Sequence, residues 1–257
     1  MMFFAPLALG LLMHTQATEA ALPRRGVLGL ALTGPAGKAP DSGVVAGQAV
    51  KGLTADRAGI KAGDVVKSIN GKSFAPAQIG PWVREVRTGT EILFDVVRDG
   101  KPMQLRAPLV ERPKDPGTDT YKVTYSHVVS QGNRMRTIIT TPKTPGKHPA
   151  MFFIQGYSPV SYDFTLSSSQ GTVQDLDGPL LHKIADSNFV TMRVEKPGVG
   201  DSEGGPFSGI DYITELDIYR QALKQLKALP EVDQSNVVIF GHSMGVRLAR
   251  WSPTKSR

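Results

Sequence analysis

The chain has no cysteine. That excludes disulfide staples, thiolate metal sites and a lipid-anchored cysteine near the start. Charge of one sign never accumulates. The net charge is only +7, and no run of five like charges occurs. Such a balance describes a solvated, mildly basic surface and excludes a nucleic-acid footprint. The apolar run at the start, "MMFFAPLALGLLM", is too short for the roughly 20 residues of a spanning helix. A permanent membrane anchor is therefore not expected. Histidine is scarce in a particular way: His14, His127, His148, His182 and His242 are all there are, and none follows Ser243.

What is present suffices for a real core. At 257 residues and 40% hydrophobic content, the chain is long enough for one large or two smaller domains and is not broadly disordered. "HTQATEAALP" follows the apolar start, and Thr18 and Ala20 supply the small residues of an A-x-A-like cleavage site. Residues 1–22 are expected to be a secretory signal peptide, which places the protein in the periplasm or outside the cell. The alternative is an N-terminal arm packed on the domain.

Residues 25–111 carry strand signals and many glycines. Ala58-Gly59 leads to Gly63-Asp64, an apolar Val65-Val66, and an Asn70-Gly71 turn suited to a hairpin. Ile79, Trp82, Val83 and Val86 form one apolar stripe on a short helix. "TEILFDVVRDGKPMQLRAPL" reads as two strands joined at Asp99-Gly100. On "AGIKAGDVVKSINGK" and "GTEILFDVVRDGK", this segment resembles a PDZ domain of the bacterial type. The resemblance implies that Val27, Leu28, Gly29 and Leu30 form a carboxylate-binding loop. Backbone N–H groups there would nest the end of a peptide, and the strand edge beside them would pair with it. Arg24 and Arg25 would add positive potential. Alternatively, Leu28 and Leu30 are ordinary core residues and the groove holds nothing.

Residues 112–119 are a linker rich in proline and charge. From 120 to 257 the pattern changes. "YKVTYSHVV" and "NRMRTIITTP" alternate and form an antiparallel hairpin. "PAMFFIQG" and "FVTMRVEKPGVG" are continuous apolar runs, as in strands covered on both faces. "GPLLHKIADSN" is helical. A second helix presents Ile213, Leu216, Leu223 and Leu226 on its buried face and ends by Pro230. Strands alternating with helices predict a mainly parallel α/β sheet, with its ligands at the carboxyl ends of the strands.

Two segments fit Gly-x-Ser-x-Gly, where chance gives on the order of 0.2 matches per chain of this length. Gly200-Asp201-Ser202-Glu203-Gly204 is flanked by Pro197, Gly198, Gly205 and Pro206, so no helix starts tightly there and Ser202 reads as a loop residue. Gly241-His242-Ser243-Met244-Gly245 follows the apolar "NVVIF" and precedes the helical "VRLAR". A nucleophile elbow needs small residues two before and two after its serine, because the chain reverses sharply. The Met244 N–H then points at a developing oxyanion. Gln155-Gly156-Tyr157 is the candidate second donor, through the Tyr157 N–H or hydroxyl; otherwise Tyr157 lines the pocket mouth.

On "FFIQGY", "VEKPGVGDSEG" and "LPEVDQSNVVIFGHSMG", residues 120–250 resemble the α/β-hydrolase superfamily, nearest to its dienelactone-hydrolase and serine-aminopeptidase kinds. The resemblance implies a serine esterase or peptidase acting by acyl transfer on a small ester or peptide. Ser243 would be the nucleophile, with oxyanion donors at Met244 and Tyr157, and no cofactor or metal is expected. The family order of Ser, then Asp or Glu, then His is not met within this chain, and His242 is expected to point away from the serine pocket. Val246 stands where the family has a small residue, and "ARWSPTKSR" turns polar where an apolar helix should continue. The expectation is a C-terminally truncated hydrolase domain, nearly inactive, with an exposed apolar edge at "NVVIF". The rival expectation is a peptide-binding module joined to an inert hydrolase remnant.

Overall fold

The computed structural model describes residues 21–35, 42–163 and 177–251. Nearly all of the expected signal peptide and the polar tail 252–257 lie outside these residues. The architecture is mixed α/β, with two hydrophobic cores, one on each side of residues 112–120.

The N-terminal unit is an antiparallel five-stranded sheet in the order β2-β3-β4-β5-β6. Its strands are β2 (Leu30–Pro35), β3 (Val44–Ala49), β4 (Val65–Ile69), β5 (Glu91–Arg98) and β6 (Lys101–Pro108). A short pair, β1 (Gly26–Val27) and β7 (Val110–Glu111), joins the two ends of the unit. Helix α1 (Thr54–Ala58) precedes β4, and α2 (Pro76–Glu85) follows it. Alternation in β5 sends Ile92, Phe94 and Val96 into the core, where all three are buried. Asp99 and Gly100 both take positive φ, +51° and +74°, which fits the tight turn joining β5 to β6. Asn70-Gly71 also turns with positive φ, but it leads into α2 rather than into a second strand. Pro76 opens α2, where its missing N–H costs nothing. Ile79 and Val83 anchor that helix, while Trp82 packs on Phe74 with ring centres 5.0 Å apart.

The C-terminal unit orders its strands β12-β10-β11-β9-β8. These are β8 (Tyr121–Ser130), β9 (Asn133–Pro142), β10 (His148–Ile154), β11 (Val190–Val194) and β12 (Val232–Gly241). The sheet is not mainly parallel: β10 pairs in parallel with β11 and β12, whereas β8–β9 and β9–β11 are antiparallel. The opening hairpin supplies both antiparallel ladders, so only the last three strands follow the β-α-β rule. Helices α3 (Asp177–Asp186), α4 (Tyr212–Lys227) and α5 (Gly245–Trp251) complete the unit. Asp211 caps α4 by accepting from the Thr214 N–H at 2.7 Å. Leu216, Leu223 and Leu226 are buried as expected, but Ile213 is 68% exposed. At about 3.6 residues per turn it falls away from the face that holds those leucines, and Asp211 and Tyr212 beside it are exposed as well.

The chain passes from β10 to β11 on one side and then to β12 on the other. Ligands in such sheets bind at the carboxyl ends where the order reverses. Here that is the crevice between the ends of β10 and β12. Strand β12 is an edge among the described residues, and its Val238 is 48% exposed, in keeping with the expected apolar edge.

Buried ions hold the two units against each other. Arg24 pairs with Asp201 at 2.5 Å and Asp163 at 2.7 Å, and Arg136 reaches the same Asp201 oxygen at 3.1 Å. Arg24 is therefore not near the peptide loop as potential; it is spent on the second unit. Arg84, from α2, donates to the carbonyls of Gly200 and Ser202 at 2.7 and 2.8 Å.

Candidate functional site

The crevice is built from two turns. Strand β12 ends at Gly241, and Ser243 follows with φ of +53°, a conformation that costs a non-glycine residue about 1–3 kcal/mol. The turn is held by His242 N–H to Ile154 O at 3.0 Å, Gly245 N–H to His242 O at 2.8 Å and Val246 N–H to Ser243 O at 3.1 Å. A Cβ at Gly241 would lie 2.6 Å from the Gly245 carbonyl carbon, and one at Gly245 would lie 2.1 Å from the Ile154 oxygen. The turn closes only because both positions lack side chains.

From β10 comes Gln155-Gly156-Tyr157. Gly156 is the residue against the serine: an added Cβ would sit 3.1 Å from Ser243 Cβ and 3.7 Å from its Oγ. Gln155 is buried beneath. Tyr157 is 65% exposed, and its ring stands edge-on to Phe207 at 5.7 Å. Lys196 Nζ donates to the Tyr157 carbonyl at 3.1 Å and pairs with Glu215 at 2.7 Å. Burial pulls the Lys196 ammonium below its usual pKa, and Glu215 opposes that shift. With its carbonyl fixed by Lys196, the Tyr157 peptide is anchored beside the crevice.

Ser243 and Met244 are exposed. Among the described residues, no hydrogen bond to the Ser243 hydroxyl is formed by a histidine. His182 is engaged elsewhere, with Tyr121 Oη at 2.6 Å and Asp115 at 3.5 Å. His148 is buried against the Thr144 carbonyl at 3.0 Å. The other Gly-x-Ser-x-Gly segment is structural. Ser202 is fully buried; its Oγ accepts from the Arg136 N–H at 2.9 Å and donates to the Glu195 carbonyl at 2.8 Å. Glu195, wholly buried beside it, has its pKa raised by desolvation.

Val27, Leu28, Gly29 and Leu30 run from the end of β1 to the start of β2. Their carbonyls turn inward: Thr54 Oγ1 donates to Val27 O at 2.7 Å, Ala55 N–H to Leu28 O at 2.9 Å and Val50 N–H to Gly29 O at 2.8 Å. Gly29 has φ of +66°, and a Cβ there would meet Leu53 Cβ at 2.5 Å. Beside them, between β2 and α2, runs a groove of about 760 Å³. Among the described residues no helix is long and apolar enough to cross a membrane, and no cluster of metal ligands occurs.

Sequence reasoning named Ser243, Met244 and the 155–157 turn, and the fold brings these to one crevice. It did not single out Gly156 or Lys196. The glycine between Gln155 and Tyr157 was the available signal for the first. Nothing in the sequence marks the second.

No family model and no curated protein matches the chain. Among solved structures it is similar to esterases and hydrolases. The α/β-hydrolase GrgF from Penicillium sp. sh18 is 17% identical over 49% of this chain and 39% of that one, with a TM-score of 0.39. Acetyl xylan esterase 1 from Thermoanaerobacterium sp. JW/SL YS485 is 22% identical over 53% and 45%, with a TM-score of 0.39. The dienelactone hydrolase-like promiscuous phosphotriesterase P91 from metagenomic libraries is 16% identical over 51% and 53%, with a TM-score of 0.38. The chain thus spans about half or less of each of these proteins.

Proposed function

We propose that the C-terminal unit is the nucleophile-bearing part of a serine hydrolase of the α/β-hydrolase type, which cleaves a small ester or peptide by acyl transfer. The observation that carries this reading is Ser243 held at φ +53° between glycines that cannot be replaced without collision. Strain at a reactive side chain, set between two turns at the carboxyl ends of parallel strands, is the signature of a nucleophile elbow. In the reaction the Ser243 oxygen attacks the substrate carbonyl and gives up its proton to a base. The carbonyl oxygen gathers negative charge, and the N–H groups of Met244 and Tyr157 stabilise it. The leaving alcohol or amine takes the proton, and water releases the acyl group.

The described residues bring no imidazole to the hydroxyl, and a serine without its base is a poor nucleophile. An elbow whose serine has no such base is expected to turn over more slowly than one that has it, by roughly four to six orders of magnitude. Hydrolysis of p-nitrophenyl acetate by the purified chain and by Ser243→Ala tests this. Equal, near-background rates that diverge on adding imidazole support the reading. Rapid turnover without imidazole, lost in Ser243→Ala, would mean that the chain holds its own base.

The groove beside Gly29 favours a second reading of the N-terminal unit as a PDZ-like module for peptide C-termini. Its supports are the edge position of β2 and the inward-turned carbonyls of Val27, Leu28 and Gly29, a geometry suited to strand addition. Both readings go with an exported protein, if residues 1–22 act as a signal peptide.

A further inference from the structure

The groove is not made by the N-terminal unit alone. Leu28, Leu30 and Leu32 line one wall, and Ile79 and Val83 from α2 line the other. Val199 and Phe207 of the C-terminal unit also line it, with Pro159 and Ser208 beside them. Three arginines stand in the same lining: Arg25, Arg84 and Arg112. Arg84 already serves the carbonyls of Gly200 and Ser202. The other two do not use all their donors. The Nε atoms of Arg25 and Arg112 are buried without a hydrogen-bond partner. A buried N–H left unpaired costs about 1–3 kcal/mol, and more on a charged group. Arg25 also donates through Nη1 to the Arg84 carbonyl at 2.9 Å, and Arg112 Nη1 lies 4.0 Å from Glu195. An apolar groove lined by such partly engaged guanidinium groups is complementary to an apolar chain that ends in a carboxylate.

We infer that the groove is a site shared by both units, in which Arg25 and Arg112 hold the terminal carboxylate of an extended peptide while Val199 and Phe207 pack on its last side chain. This rests on the peptide-binding reading above and adds to it the linker arginine and the second unit's wall. The geometry gives that wall a further contact, because Phe207, which faces the groove, also carries the Tyr157 ring and lies 4.2 Å beneath Lys196 Nζ. The bound peptide end is thus one side chain away from the turn that flanks Ser243.

Fluorescence polarisation with the full chain tests the inference. The probe is a fluorescein-labelled hexapeptide pool, random except for a C-terminal valine, offered as the free acid and as the amide. The acid is expected to bind saturably, and the amide about tenfold more weakly or worse, as loss of a charge-assisted pair requires. Arg112→Gln and, independently, Ser208→Trp in the second unit's wall should each weaken the acid by about tenfold. Leu30→Asp should abolish binding. Ser208 is exposed, so its variant serves even if Arg112→Gln fails to fold, which a thermal melt reports. If Leu30→Asp abolishes binding but neither Arg112→Gln nor Ser208→Trp changes it, the shared site is wrong and the groove reading survives. If the acid pool does not bind, or binds unaltered in all three variants, both fall.

Discussion

A methyl group placed on Gly245 would stand 2.1 Å from the carbonyl oxygen of Ile154. The start of α5 thus lies directly against the end of β10, and this contact fixes where the Ser243 turn sits relative to Gly156. Gly245→Ala is expected to destabilise the C-terminal unit by about 3 kcal/mol or more, since backbone and not a pliable side chain must yield. Urea unfolding measures it.

Ser243→Gly is expected to act in the opposite direction. Glycine adopts φ of +53° without strain, so the variant should gain about 1 kcal/mol while losing the hydroxyl. A gain in stability from deleting a polar side chain marks a site where function opposes stability. The same denaturation experiment on both variants checks the pair of signs.

Asp201 holds Arg24 across the interface and Arg136 within its own unit, and the Asp201 side chain is fully buried. Asp201→Ala would leave the buried Arg136 guanidinium without its carboxylate and Arg24 with Asp163 alone. A loss of about 3–5 kcal/mol is expected. Differential scanning calorimetry should show both units melting earlier, because the ions bridge them.

Glu203 is pulled down to about 2 by its hydrogen bonds with Arg134. Its folded pKa lies below the ordinary 4.5, so the folded state binds fewer protons than the unfolded chain. The pair's contribution is therefore complete above about pH 4.5 and is lost as pH falls toward 2. The pair is partly open to water, so screening keeps the effect below about 1 kcal/mol. Wild type and Glu203→Gln should differ in urea midpoint at pH 6 and converge near pH 2.

Much of this was legible in the chain, and the reasons differ by element. The two Gly-x-Ser-x-Gly segments are alike in letters, and only their flanks separate them: an apolar strand into Ser243, and prolines around Ser202. The structure bears out that distinction, burying Ser202 as a bridge between Arg136 and Glu195. Periodicity placed α4 but not the exposure of Ile213, because the turn of the helix rotates that residue off the face that Leu216, Leu223 and Leu226 bury. Arg24 was misread because its partner Asp201 is 177 residues away, and local pattern cannot report such a pair. The sheet's parallel character was overstated, since the hairpin of β8 and β9 counts for as many ladders as the β-α-β part.

The central claim is that the Ser243 turn is an acyl-accepting elbow. Peptide mapping by mass spectrometry, after the chain has been incubated with p-nitrophenyl acetate and imidazole, tests it most directly. The account expects the acetyl group on Ser243 in clear excess over exposed serines such as Ser208 and Ser235, and expects that excess to vanish in Gly245→Ala. Acetylation of Ser243 no greater than that of those serines would contradict it.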